Sequence, residues 1–346
     1  MSDTIIDPAD AAPRWACPDA TLVLRADAPK EQWLRARTEG IGGSDVSAIT
    51  GISKYATPYS VWLDKIGESS EVEQNHAMRM GNLLEPIVVQ LFQEDYGIST
   101  RRAGLMRSRQ HPFMQVTVDR LTADGGILEC KTSTGWLSSE WEDGQVPDHA
   151  ELQVQHGLAV TGRSHAWVAG LLDGRDFFVR RVDRDDALIA QLIEIERKFW
   201  EEHVLARQDP PVTAVDLPQL RSQFSDAESV SVSAELSELT VLRAEYEEAR
   251  DAEKAAVKAK DDAAAKIRKL AGHADTIVDH ENRAWFTVKQ NGAFSASRFV
   301  KDHPDIAEDF MVPAERLDAS KLAENHPELH ASYRARVLRL PKLKLD

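Results

Sequence analysis

Between Trp33 and about Trp200 the apolar positions change period several times. From Tyr59 to Lys65 and from Leu84 to Tyr96 they recur at helical spacing, whereas Gly126 to Lys131 and Ala166 to Leu172 read as short buried strands. A helical stretch from Glu151 to Val160 separates the two strands, and another from Ala187 to His203 closes the unit. This alternation predicts an α/β core.

The pattern stops near Gln208-Asp-Pro-Pro211, and a polar stretch resembling a linker runs to about Ser233. From Leu236 to Leu270 two series fall seven apart, Leu239, Tyr246, Glu253, Lys260 and Ile267, and Leu242, Ala249, Ala256, Ala263 and Leu270. This is a heptad seam with an alanine-rich middle, strong in helix propensity and poor in apolar area. It suits antiparallel or intramolecular packing as well as an intermolecular coiled coil. Gly272 is a natural helix stop, and Thr276 to Val278 with Trp285 to Val288 read as a hairpin. Residues 296–310 and 319–333 repeat at a period of 23, each a Ser-capped helical turn, a His-Pro break and a second apolar face. The expected organisation is therefore an N-terminal extension (1–29), a core (30–208), a linker (209–233), a helical arm (234–272) and a hairpin with a duplicated helical tail (273–346).

Composition narrows the function classes. The 346 residues are 42% hydrophobic and 29% charged, which disfavours a wholly disordered chain, a collagen-like fibre and a polytopic membrane protein. A formal charge of −15 argues against coating nucleic acid by bulk charge, but not against a local basic groove, because fields are screened within roughly 10 Å at 0.1 M salt. The tail residues Arg334, Arg336, Arg339, Lys342 and Lys344 form a basic run that is a candidate phosphate or partner contact. Two cysteines, Cys17 and Cys130, exclude a disulfide scaffold and an all-cysteine metal site. With no secretory signal and no long apolar span, the expectation is a soluble cytoplasmic protein with no membrane association.

The candidate chemistry centres on Val118-Asp119-Arg120 and, after a turn through Asp124-Gly-Gly126, Leu128-Glu129-Cys130-Lys131. An Asp at one strand end and Glu-x-Lys on its hairpin partner bring two carboxylates and an ammonium to one point, with Glu129 and Lys131 on one face and Cys130 on the other. Hard carboxylate oxygens suit Mg²⁺ or Mn²⁺, and a neighbouring lysine can stabilise charge on a phosphoryl group. Glu-x-Lys alone is equally an ordinary ion pair. Three features strengthen the metal reading: Glu85 on an otherwise apolar helix, Gln153 and Gln155 at the start of the helix after the second strand, and Arg37-Thr-Glu-Gly-Ile-Gly-Gly-Ser44-Asp45, whose small residues and hydroxyl at a helix start favour a phosphate. His111, His149, His156 and His165 lack ligand spacing and read as surface or core residues, and Cys130 reads as a small buried hydrophobe.

Arg37 to Asp45, Thr57-Pro-Tyr-Ser-Val-Trp62, Gly81-Asn-Leu-Leu-Glu85-Pro, Asp119, Leu128-Glu-Cys-Lys131 and Gln153-Val-Gln155 together resemble the YqaJ-type viral recombinase family, related to phage lambda exonuclease within the PD-(D/E)xK nuclease superfamily. The resemblance spans about residues 30–205. It implies a restriction-endonuclease-like core, a mixed central sheet flanked by helices, and Mg²⁺-dependent degradation of linear double-stranded DNA from the 5′ end. It further implies metal ligation by Asp119, Glu129, Glu85 and the Cys130 carbonyl, and Lys131 as the catalytic lysine. Gln153 would assist there, with Gln155 at the substrate and Arg37 and Ser44 on the 5′-phosphate. The implied setting is phage or prophage recombination, with 3′ tails handed to a single-strand annealing partner and a homo-oligomeric enzyme. The sequence departs from the family pattern where Pro-Asp-Gly reads Val118-Asp119-Arg120 and where Ala150 replaces a Tyr. An endonuclease, or a non-catalytic binding or inhibitor protein that uses the helical arm, are the alternative readings.

Overall fold

The computed structural model of the chain describes residues 14–69, 76–133, 135–225, 231–289, 295–308 and 319–332. Two compact units divide it, Met1–Ser225 and Asp226–Asp346.

The first unit runs β1 (Ala20–Leu24), α1 (Lys30–Thr38), α2 (Gly43–Ile49), α3 (Pro58–Ile66), α4 (His76–Tyr96), β2 (Thr100–Arg101), β3 (Leu105–Ser108), β4 (Gln115–Val116), β5 (Arg120–Thr122), β6 (Ile127–Ser133), α5 (Asp148–Thr161), β7 (His165–Leu172), β8 (Asp176–Asp183), α6 (Asp186–Lys198) and α7 (Leu217–Gln223). Five strands form a mixed sheet in the order β2-β5-β6-β7-β8, in which β6 and β7 are parallel and the other neighbours antiparallel. A parallel pair needs a crossover, and α5 supplies it. The mixed α/β architecture expected from the sequence is present.

Alternation along β6 sorts its side chains between two helical layers. Ile127 packs with Val154 and Leu158 of α5, whereas Leu128 and Cys130 join Val88, Val89 and Phe92 of α4. Gly157 lets α5 approach closely, since a Cβ there would sit 2.9 Å from Ile127 Cδ1. A second cluster, including Ile41, Val46, Val61, Leu152 and Leu192, ties α2, α3, α5 and α6 together. The helix expected from Ala187 to His203 is α6 continued by a π-helical turn over Phe199–Leu205.

Two segments placed outside the core by their sequence are built into it. Within 1–29, β1 pairs with β3 and Ala20 joins the main core. Buried Arg163 donates to the carbonyls of Arg14 (3.0 Å), Ala16 (3.2 Å), Thr122 (3.0 Å) and Gly126 (2.7 Å), fastening this segment to the β5–β6 turn. Within 209–233, Asp216 is buried and accepts a hydrogen bond from the Thr57 hydroxyl, and Tyr59 bonds Gln223 of α7 (3.2 Å). Turn-rich composition marks breaks in helices, and such a break can still pack.

In the second unit α8 (Leu236–Ala271) is one continuous helix of 36 residues, about 54 Å long at 1.5 Å per residue. Its seam residues Leu239, Leu242 and Tyr246 are exposed. β9 (Thr276–Val278) and β10 (Ala284–Thr287) form the expected antiparallel hairpin. The repeat appears as α9 (Ala296–Asp302) and α10 (Pro304–Glu308), then α11 (Ala319–Asn325) and α12 (Pro327–Ser332), with each second helix opening at the proline. Ser297 and Ser320 lie inside the first turns and do not cap them; Ser295 precedes α9 and makes no side-chain cap bond. The basic run 334–344 lies outside the described residues.

The turn between β5 and β6 is closed by Asp124, which accepts from the Thr122 hydroxyl (2.5 Å), Trp167 Nε1 (3.0 Å) and the Gly126 amide (3.3 Å) and meets His165 Nε2 at 3.1 Å. Burial pushes this carboxyl up, but those donors outweigh it and hold the group at about 2. A depressed native value stabilises the fold above the unfolded value near 4, and that stability is lost as pH falls toward 2. Asp124→Asn is expected to cost about 1 kcal/mol, the low side for charge-assisted bonds because the carboxylate is partly exposed, and to lower Tm by about 2–4 °C. Thermal melts between pH 7 and pH 2 check this: the wild-type advantage should shrink below about pH 4.

Candidate functional site

β6 delivers Glu129 and Lys131 to its α5 face, as alternation requires. Lys131 Nζ donates to Glu129 Oε1 (2.9 Å) and to Gln153 Oε1 (2.6 Å), and Gln153 Nε2 donates to Glu129 Oε1 (2.7 Å), a closed triangle across the sheet–helix junction. Asp119, immediately before β5, accepts from the Cys130 amide at 2.7 Å. Burial pushes the Asp119 carboxyl well above the usual range; Glu129 and Glu85 push the same way, against the Cys130 amide and Lys131. Burial, reinforced by Asp119, Glu129 and Glu85, also drives the Cys130 thiol far up, which removes it as a nucleophile.

Glu85, on α4, is bound to Arg120 Nη1 at 2.7 Å, and the same nitrogen reaches the Asp119 carbonyl at 2.5 Å. Among the described residues no three His, Cys, Asp or Glu groups are gathered as a metal-holding set. Asp119 and Glu129 nevertheless fit a hard dication. Against one ammonium they leave net negative charge at a buried point, and a small cation that retains waters and takes substrate oxygens needs only one or two carboxylates.

Arg37 and Ser44 line a cavity of about 90 Å³ together with Glu129 and Gln153. The loop carrying them is fixed from two sides. Gln115 Nε2 donates to the carbonyls of Ala36 (3.1 Å), Arg37 (2.8 Å) and Gly40 (3.0 Å), and Gly43 lies where a Cβ would be 3.1 Å from Gln153 Cγ. Arg37 also pairs with Asp45 and Asp64, each at 3.4 Å, the ordinary ion-pair role for such a residue. Ser44 is exposed and is not the helix cap: Gly42 is, and Asp45 accepts from its amide at 2.9 Å, so that donor is already occupied. Burial raises Asp45, but buried Lys65, 2.6 Å away, and Arg37 hold it below the carboxylate range.

Gln155 is not part of this constellation. Two residues along a helix point to different faces, so Gln155 turns inward, where its amide donates to the Asp183 carbonyl (2.8 Å) and its oxygen accepts from the Asp185 amide (3.0 Å). His156 is a satisfied core residue, with Nδ1 at 2.9 Å from Glu196 and Nε2 at 2.9 Å from the Gln115 carbonyl. His149 is held below its usual value by burial and then by Lys131, so it stands near the site as a neutral ring. The motif reading missed Lys65, which anchors Asp45, and left Trp33 and Arg120 without a role. Trp33 was legible only as an aromatic beside the Arg37 motif, and Arg120 only as a departure from Pro-Asp-Gly.

A raised native carboxyl favours the fold below the unfolded value near 4, and that contribution is lost as pH rises through the native value. Asp119→Asn removes the buried repulsion and keeps an oxygen for the Cys130 amide. With chelator present it is expected to melt about 2–4 °C higher than wild type near neutral pH, with the gap closing toward pH 4. An unchanged or lower Tm across that range would contradict the crowding.

Residues 32–164 match the profile of the YqaJ-like viral recombinase domain. The protein YqaJ of Bacillus subtilis (strain 168) is 35% identical over 215 residues, covering 60% of this chain and 67% of that protein. Protein R354 of Acanthamoeba polyphaga mimivirus is 27% identical over 177 residues, covering 45% of this chain and 30% of that protein. Among solved structures, an alkaline exonuclease from Laribacter hongkongensis superposes with a TM-score of 0.46 at 22% identity, over 57% of this chain and 100% of that one. A phage-related exonuclease from Haemophilus somnus 129PT gives 0.40 at 13% identity, over 51% and 99%.

Proposed function

This chain belongs to the YqaJ-like viral recombinase family, and from that premise we propose that it is a divalent-metal-dependent exonuclease acting on linear double-stranded DNA. The observation that carries the reading is the partly buried Asp119 beside buried Glu129, to which Lys131 and Gln153 are bonded. Asp119 and Glu129 would hold Mg²⁺ or Mn²⁺, with the Cys130 carbonyl beside them and Glu85 reaching the shell through water. When bound, such an ion supplies Lewis acidity toward a phosphoryl oxygen and acidifies a water. The chain's own groups do the rest. Lys131 places positive charge where it builds up on the phosphoryl group, and Gln153 fixes the ammonium and Glu129 in register. Arg37 and Ser44 receive the terminal 5′-phosphate in the adjoining cavity, which is the basis for 5′ to 3′ polarity and for 3′ tails passed to an annealing partner.

Incubation of linear duplex, covalently closed circle and single strand, each with Mg²⁺ and with chelator, tests this. Mg²⁺-dependent loss of the linear duplex alone is expected. Cutting of circles would make it an endonuclease, and no Mg²⁺-dependent loss would leave a binding protein. Lys131→Ala should lower the single-turnover rate by about 10²–10³-fold with Mg²⁺ affinity nearly unchanged, as measured by metal titration. A collapse of metal binding that accounts for the whole rate loss would make Lys131 structural. The wild type should prefer 5′-phosphorylated over 5′-hydroxyl ends, and Arg37→Ala should erase most of that preference while slowing hydroxyl ends only mildly. Equal wild-type rates on the two ends would remove the argument for polarity.

A further inference from the structure

Trp33 borders two cavities. One is the Arg37–Ser44 cavity; the other, about 240 Å³, is lined by Arg25, Arg102 and Arg120 and reaches Glu85 and Asp119. The indole is steadied by its Nε1 contact with the Thr117 hydroxyl (3.4 Å) and by the Arg37 guanidinium 5.7 Å from its ring centre, so it forms a wall between them. The carboxylate pair straddles the same wall: Glu129 lines the first cavity and Asp119 the second.

We infer that the second cavity is a phosphate subsite for the DNA strand on the 3′ side of the scissile bond. The inference rests on the nuclease reading, which puts the terminal phosphate in the first cavity and the scissile phosphate at the carboxylates; the strand that continues must then leave past Asp119. Three guanidinium groups lining one cavity reverse the local sign in a chain of formal charge −15, and phosphate binding follows local potential. They are also free to bind. Arg102 is exposed and has no ion-pair partner among the described residues. The ion pair of Arg25, to Asp27 at 3.3 Å, joins two side chains that are 82% and 76% exposed, a contact that water and salt readily replace. Arg120 meets both Glu85 and the Asp119 carbonyl through Nη1, which leaves the other edge of its guanidinium for a second acceptor. Glu85 and Asp119 are the acidic groups on the cavity lining, and both lie at its catalytic end.

The test is fluorescence anisotropy of the full chain with a labelled 5′-phosphorylated duplex in chelator, titrated at several salt concentrations. Arg102→Ala should weaken binding several-fold and make the slope of log K against log salt shallower by about 0.7–0.9, the loss of one phosphate contact; Arg25→Ala with Arg102→Ala should give about twice that. Arg102→Lys should recover the slope, and the preference for 5′-phosphorylated ends should persist in all three. Wild-type affinity and slope in the double variant, weaker binding with an unchanged slope, or failure of Arg102→Lys to recover the slope would each overturn the subsite. Wild-type digestion with Mg²⁺ is run alongside. A cleaving wild type with an unaffected double variant overturns only the subsite, whereas a wild type that binds with the expected slopes and does not cleave overturns only the nuclease reading.

Discussion

The Asp119–Glu129 carboxylate pair, with Lys131 bonded to one of its members, sets the terms for the first unit. Burial is the main cause of the raised Asp119 carboxyl, and repulsion from Glu129 and then Glu85 adds to it. Such an arrangement is costly unless the surrounding structure over-determines it. The determinants are identifiable: the Cys130 amide on Asp119, the Lys131–Gln153–Glu129 triangle, and the sheet register that sets β5 against β6. Each holds one member of the pair in place.

The rest of the unit holds that register. β6 is paired along its length with β7, clamped by α4 on one face and α5 on the other, so its alternation cannot slip without carrying Lys131 into the apolar α4 layer and Leu128 out of it. Its lead-in turn is closed by Asp124 and by Arg163, which also gathers in the N-terminal segment. Gly43 and Gly157 serve the same purpose from the helical side, because each allows α5 or α2 to approach closer than a side chain would permit. The carboxylate pair is thus the low-tolerance centre of a scaffold whose stabilising contacts lie mostly one layer away.

Much of this was legible in the sequence because it depends on period and spacing. Alternation placed Glu129 and Lys131 together and Cys130 opposite; helical spacing found α3, α4 and α5; a heptad and a His-Pro repeat located α8 and the small helices that follow. Pairings that depend on approach between distant segments were not legible. Gln155 looked equivalent to Gln153 in the string but turns toward Asp183, since the helix rotates it away. The hydroxyl and small residues before Asp45 read as an open phosphate-binding helix start, yet Asp45 folds back and occupies the amide of the Gly42 cap. Residues 1–29 read as an extension and 209–233 as a linker, and partners far away in sequence, among them β3, Arg163, Thr57 and Tyr59, bring 14–29 and 209–225 onto the core.

Arg120 shows how a departure from a family pattern can carry information. The position after Asp119, a glycine in the family's Pro-Asp-Gly, is here a cation, and its guanidinium sits on Glu85, the third acidic group of the proposed metal site. In this structure Arg120 offsets the charge of Glu85, although Glu85 still adds to the rise of Asp119. In the proposed metal-bound form, the ion and Arg120 would compete for Glu85. Arg120 also lines the arginine-lined cavity, so under the proposed reading the cation that offsets Glu85 would meet the next phosphate of the emerging strand through its remaining edge.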